Sequence, residues 1–328
     1  MLLIIHKGKP FLWVTVINIP TYVTKTVGFE FHLETNRFFF SAALLYSFTM
    51  PELPEVETVR RGLVPVLSDA VLTQVQVNRY DLRGGVPADF ADRFTGARVM
   101  GEPVRRGKYV ILLRNNDLAM ILHLGMSGRV RIYAPDEVYA PEKHDHAIFE
   151  TDGGHTIVFN DARRFGSLTH RPIATWEETT PFDKMGVEPL SDEWDGEALR
   201  RMLRRKAKSP IKTALLDQRV VAGVGNIYAC EALYQSRIHP ERPAASLSHD
   251  EAARLTAAVK DVLIKAIESG GSSLRDHKQT DGSMGYFQHQ FDVYDREGKA
   301  CRACKGEGCI QRIVQGGRST FYCSAVQV

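Results

Sequence analysis

Met50-Pro-Glu-Leu-Pro-Glu-Val-Glu-Thr-Val-Arg-Arg-Gly-Leu63 reads as the start of an enzyme set 49 residues into a chain of 328. If translation begins at Met50 and that methionine is removed, Pro51 becomes a free secondary amine with two carboxylates, Glu52 and Glu55, close behind it. Such an amine is a usable nucleophile: a chain terminus with pKa near 8 is roughly 10% neutral at pH 7, against about 0.04% for a lysine. Proline's amine is somewhat more basic, which makes that ratio an upper bound. Attack by a secondary amine on an aldehyde-type carbon must give a cationic iminium, because no N–H proton is left to lose, and that cation is an electron sink. Glu52, adjacent by construction, is the natural general acid and base. Its plain alternative is negative charge placed at a helix amino end.

Outward from this point, Leu53 to Leu63 has the pattern of a short amphipathic helix, with Pro54 suited to the first turn, Glu55 and Glu57 at the positive end of the dipole, and Gly62 as the stop. Short β-type runs follow: VLTQVQV (71–77), YVILLR (109–114), LAMILHL (118–124), RVRIY (129–133), HAIFE (146–150) and HTIVFN (155–160). So many strands separated by turn residues predict a β-sandwich. Beyond a turn-rich stretch around Thr180 to Asp192 the period becomes helical in EALRRMLRRK, SPIKTALLDQ, NIYACEALYQ and HDEAARLTAAVKDVLIKAIESG, with Ser209, Asn226 and Ser248 available as caps. The fold class is therefore α+β. Four segments are expected: 1–49 as an upstream extension, 50–182 as a sandwich, 183–292 as a helical domain and 293–328 as a small cysteine-bearing hairpin.

The net charge is +3, and residues 1–49 contribute four Lys/Arg and two Glu, which leaves +1 for the rest. Affinity for a polyanion must therefore come from local clustering, which Arg200 to Arg219 supplies with eight Lys/Arg against Asp217. A solvated helical face is the equal alternative. Four of the five cysteines lie between 301 and 323, a pattern that suits a metal in a reducing cytoplasm better than a disulfide framework. Cys301-x2-Cys304 is followed by Cys323, but Val326 stands where a fourth thiolate would complete a second CxxC. Valine cannot bind metal, so either Cys309 supplies the fourth ligand or the site is three-coordinate and weak. No uninterrupted apolar run of membrane-spanning length occurs, and the first twenty residues, broken by His6, Lys7, Lys9 and two prolines, lack the order of a signal peptide. The first 49 residues read as upstream sequence translated from a misplaced start. A genuine strand-forming extension, which would make Pro51 an amide, is the other reading.

MPELPEVETVRRGL resembles the amino terminus of bacterial formamidopyrimidine-DNA glycosylase, a repair enzyme that removes oxidised purines such as 8-oxoguanine and then cleaves the strand. RRGKY (105–109), HLGMSG (123–128), EKHDH (142–146), DARRFG (161–166), GVGNIYACEAL (223–233) and GGRSTFYC (316–323) are similar to that family in the family's order. The resemblance implies an amino-terminal sandwich flanked by helices, a helix-two-turn-helix module with VAGVGN as its turn, and a zinc-finger-type hairpin. In the module's turn, Gly223 and Gly225 would let backbone amides approach a phosphate.

By the same resemblance Pro51 is the nucleophile on C1′, Glu52 its acid and base, and Lys108 the lysine that contacts a phosphate beside the lesion. Met126, Arg163 and Phe165 match side chains that fill the space left by an everted base. By themselves Met126 and Phe165 read as core. Asn226 and Arg318 match residues that grip flanking phosphates, and His123 matches a position near the bent backbone, with a satisfied buried histidine as its alternative. One structural Zn²⁺, a double-stranded DNA partner carrying oxidised purines, a monomeric state and a bacterial cytoplasmic, nucleoid-associated location complete the expectation. Two other readings stay open: an endonuclease VIII-type enzyme acting on oxidised pyrimidines, which usually has glycine where Leu53 stands, and a non-enzymatic DNA-binding protein if residues 1–49 are retained.

Overall fold

The computed structural model describes residues 2–8, 11–17, 25–30, 50–272, 280, 285–306 and 308–328. The chain divides into two compact units, Met1–Tyr46 and Ser47–Val328. In the first, β1 (Leu2–Gly8), β2 (Phe11–Ile17) and β3 (Lys25–Glu30) form an antiparallel sheet in that order.

The second unit opens with α1 (Leu53–Leu67), β4 (Leu72–Val77) and the short α2 (Phe90–Phe94). Seven strands follow: β5 (Val104–Arg106), β6 (Tyr109–Leu113), β7 (Leu118–His123), β8 (Gly128–Tyr133), β9 (Asp145–Thr151), β10 (Thr156–Asp161) and β11 (Ser167–Pro172). They form two four-stranded sheets, β4-β9-β10-β8 and β11-β7-β6-β5. One core joins them, with Leu72, Val75, Phe149, Ile157 and Phe159 from the first sheet packed with Val110, Leu112, Met120 and Leu168 from the second. The other face of the second sheet is covered as well, where Ile111, Ala119 and Ile121 meet Trp176 and Phe182. Burial on both faces explains why YVILLR and LAMILHL are continuous apolar runs, whereas the first sheet alternates more. All six strands read from the sequence are present. β5 and β11 carry too few apolar residues to announce themselves and are recruited by pairing with β6 and β7.

Helix α1 does not stop at Gly62. It continues one turn to Leu67, because Gly62 serves a close approach: a Cβ there would lie 2.2 Å from the Thr280 hydroxyl. Its apolar stripe is shared between two cores. Val56, Val59, Leu63 and Leu67 enter the sandwich, while Leu53 enters a second core built by the helices.

That second core is made by α3 (Gly196–Leu203), α4 (Ile211–Leu215), α5 (Asn226–Gln235) and α6 (His249–Glu268), together with the hairpin β12 (Ile310–Gln315) and β13 (Arg318–Cys323). Helix α5 is buried from Ile227 to Tyr234, as befits a central helix packed on every side. Ser248 caps α6 in a full capping box with Glu251, as its sequence foretold. The other two cap assignments need correction. Helix α4 starts at Ile211 after Pro210, and the Ile211 and Lys212 N–H groups bond to the Arg242 and Pro240 carbonyls, so Ser209 is not needed. Asn226 is the first residue inside α5, and its side chain is engaged elsewhere. No helix among the described residues is long and apolar enough to cross a membrane.

Candidate active site and nucleic-acid interface

The amino end of α1 is fastened to the turn before α5. The Leu53 N–H donates to the Gly223 carbonyl at 3.0 Å, and the Glu52 carboxylate accepts the Ile227 N–H at 3.0 Å. Glu52 therefore caps α5 from a different element, satisfying one of the donors that Gly225 cannot serve. The two glycines have a reason within the chain itself: a Cβ on Gly225 would sit 2.3 Å from the Glu52 carboxyl carbon, and one on Gly223 would sit 2.7 Å from Leu53.

Glu52 is 3% exposed, and its Oε2 has no hydrogen-bond partner among the described residues. Burial pushes its pKa up to about 7, against the opposing pull of Lys108 and with a further push from Glu55. Pro51 is buried beside it. Glu55 accepts the Glu52 N–H at 2.9 Å and the Ser272 N–H and hydroxyl at 2.8 Å each, and also the Tyr228 hydroxyl. Lys108 is buried too. Desolvation lowers its pKa and Arg318 adds to that, while Glu52 and Glu55 hold it up. It occupies the two-residue turn between β5 and β6, where Arg106 pairs with Tyr109. The turn is clamped by Glu188, which accepts from Arg105 at 2.7 Å, Arg106 at 3.0 Å and the Gly107 N–H at 2.6 Å.

Asn226 donates to the Ser319 carbonyl on β13, next to exposed Arg318. It also accepts from Lys212, which is 0% exposed and depressed in pKa by burial first and by Arg318 after it. From the sequence, Lys212 counted only as one member of a surface run. Its signal was weak but present, a lysine held between Ile211 and the apolar Ala214-Leu215 rather than among the arginines. Glu188 and Tyr228 were likewise missed, since nothing in their local patterns announces the clamp on the β5–β6 turn or the hydroxyl donated to Glu55.

His123 ends β7 against the Tyr109 ring, with centroids 4.6 Å apart, and its Nδ1 accepts the Gly125 N–H at 3.0 Å. Burial, with Lys108 and Arg83 adding, pushes its pKa down to about 4, so it is neutral at physiological pH and carries its proton on Nε2. Met126 is half-buried, while Phe165 stands 41% exposed with the Arg163 guanidinium 5.1 Å from its ring centre. An exposed phenylalanine beside an arginine argues against the core reading of that turn.

The hairpin brings together Cys301, Cys304, Cys309 and Cys323, with all four sulfurs within 4.8 Å of one another, Cys304 to Cys309 at 3.1 Å and Cys304 to Cys323 at 3.6 Å. A zinc tetrahedron with Zn–S near 2.3 Å needs sulfurs about 3.8 Å apart. The cluster fits a metal ion, and Cys309 occupies the corner that Val326 cannot.

A sandwich and a helical module that meet at a buried carboxylate flanked by converging cations define a protein built to act on a polyanion. Residues 50–168 match the formamidopyrimidine-DNA glycosylase N-terminal domain, and residues 185–278 match the formamidopyrimidine-DNA glycosylase H2TH domain. The chain is 49% identical over 296 residues to the formamidopyrimidine-DNA glycosylase of Methylobacterium sp. (strain 4-46), covering 85% of this chain and 99% of that one. With that of Caulobacter vibrioides it shares 47% identity over 289 residues, covering 85% and 100%. Among solved structures, the MutM (Fpg) protein of Thermus thermophilus superposes with a TM-score of 0.74 at 39% identity, covering 84% of this chain and 98% of that one. Lactococcus lactis Fpg in complex with abasic-site DNA gives 0.75 at 34% identity, covering 84% and 99%. The chain belongs to the formamidopyrimidine-DNA glycosylase family.

Proposed function

We propose that this protein excises oxidised purines, 8-oxoguanine and formamidopyrimidines, from double-stranded DNA and then cleaves the abasic strand by β,δ-elimination through a Schiff base on Pro51. The observation that carries this is the unpaired Oε2 of Glu52, buried beside Pro51 and under the charge of Lys108. The Pro51 amine lone pair bonds to C1′, and the base leaves with the glycosidic electron pair and takes up a proton. Glu52, poised near neutrality, delivers a proton as the sugar ring opens to the iminium. Loss of a C2′ proton then expels the 3′ phosphate, and a second elimination releases the 5′ side, leaving a one-nucleotide gap. Lys108 serves the phosphate beside the lesion, and Asn226 and Arg318 the flanking ones. Met126, Arg163 and Phe165 fill the stack, with His123 alongside as a neutral donor.

Both ends of the chain fit this function. Residues 1–49 lie outside the family match, and the active form begins at Pro51. Zinc is the metal of the cysteine cluster, where it orders the hairpin that carries Arg318 and takes no part in the chemistry. The protein works as a monomer in the bacterial cytoplasm, at the nucleoid.

Two measurements test this reading. The form beginning at Pro51 is expected to open duplexes containing 8-oxoguanine opposite cytosine faster than duplexes containing thymine glycol. The reverse order would transfer the protein to the oxidised-pyrimidine class. The pH dependence follows from two opposed requirements, a neutral amine and a protonated Glu52. The amine limb rises towards the terminal pKa near 8, and the carboxyl limb falls above about 7, so single-turnover excision should peak between about 7 and about 8. A rate still climbing at pH 9 would remove Glu52 as the acid.

A further inference from the structure

DARRFG contributes Arg163 and Phe165 to the proposed stack filling, while its first residue, Asp161, is left without a role. Asp161 is 0% exposed, an acidic side chain at the end of β10 with no ion-pair partner among the described residues. Its carboxylate instead reaches both loops that carry the inserted side chains. Oδ2 accepts the Gly166 N–H at 2.7 Å, and Oδ1 accepts the Arg163 N–H at 3.3 Å and the hydroxyl of Ser127. The Ser127 oxygen in turn accepts the Arg163 N–H at 3.0 Å, closing a ring between the two loops. The Asp161 carbonyl accepts from His146 Nε2 at 2.7 Å, which anchors the hub to the sheet.

The loops are also in direct contact. Gly125, at φ +67°, has no room for a side chain, since a Cβ there would lie 2.3 Å from the Gly166 nitrogen and from the Phe165 carbonyl carbon. Three side chains drawn from positions 126, 163 and 165 can enter one gap in a base stack only if their backbones keep a fixed relation. The Asp161 carboxylate is bonded to both segments and can hold that relation.

We propose that Asp161 is a positioning residue that locks the Met126 loop to the Arg163–Phe165 loop so that the three side chains insert as one unit. The inference rests on the stack-filling role of those three residues. In an Asp161→Asn variant the amide nitrogen replaces an acceptor, so the Gly166 N–H or the Ser127 bridge is lost and a buried donor is left unpaired.

The test needs no chemistry and therefore uses the full chain. The DNA is a duplex with a tetrahydrofuran abasic analogue and 2-aminopurine next to it, whose fluorescence rises when the neighbouring stack is opened. Asp161→Asn should lose more than half of the rise at saturating protein, while affinity for the same analogue in a single strand stays within about twofold of wild type. Ser127→Ala, which removes only the bridge, should give a smaller loss in the same direction. Combining Asp161→Asn with Phe165→Ala should do no further harm beyond Phe165→Ala alone. A full rise in Asp161→Asn, or in Ser127→Ala should the first variant not fold, overturns the proposal. So does an equal loss of single-strand affinity, which would mark a general structural role. If Phe165→Ala and Met126→Ala both keep the full rise, the stack-filling reading itself fails and takes this one with it.

Discussion

A protein beginning at Pro51 is expected to form a borohydride-trapped covalent adduct with duplex DNA carrying 8-oxoguanine opposite cytosine, and the 328-residue chain to form none. The difference is chemical. With residue 50 attached, the Pro51 nitrogen is a tertiary amide whose lone pair is delocalised into the carbonyl. As a free terminus it is at most roughly 10% neutral amine at pH 7, a pool that refills as it reacts. Glu52→Gln in the active form keeps the shape and the capping contact to Ile227 but removes the transferable proton, so trapping should fall by about 10²- to 10⁴-fold. Pro51→Gly should lose the adduct as well. Equal trapping by the full chain, verified by mass to retain its first 49 residues, would sink the start-site argument while leaving the fold untouched.

The second large effect lies at the other end of the chain. Metal analysis of the wild type should give one zinc per chain, and Cys309→Ser should give none. A structural zinc contributes an apparent binding energy of roughly 10–16 kcal/mol in small metal-folded units, more than a short hairpin can replace from its own packing. Loss of the metal should therefore disorder β12 and β13, withdraw Arg318 and remove the Ser319 carbonyl that holds Asn226. DNA affinity should drop, with a shallower salt dependence by about one phosphate contact. Retention of a full zinc in Cys309→Ser would show that three cysteines suffice and that the cluster geometry misleads.

Much of this was readable from residue order alone, for a physical reason. Strands buried on both faces and helices buried on one announce themselves through apolar spacing, and a proline can offer a free amine only at a chain terminus. What spacing cannot reveal is burial of a charge by a distant segment. Lys212 looked like part of a basic face because its neighbours in sequence are basic, yet tertiary packing buries it and hands it Asn226. That Gly223 and Gly225 also lie against Leu53 and Glu52, from the far end of the domain's sequence, was equally hidden. The cap readings at Ser209 and Asn226 failed because the donors they were meant to satisfy are served by remote carbonyls and a remote carboxylate. Cys309, weighed only as one option, took the fourth corner because a loop can fold back across five residues where Val326 offers no sulfur.

Helix α1 is a shaft set into two bearings, its first residue in the helical core and its remaining apolar face in the sandwich. On the proposed mechanism, neither the sandwich nor the helical module holds a reaction centre by itself: the sandwich brings Lys108, the helical module brings the Ile227 N–H to Glu52, and the shaft brings Pro51 to the seam. Activity regained during refolding is therefore a clock for the last event in assembly, the closing of that seam. It should lag behind the return of secondary structure in either half.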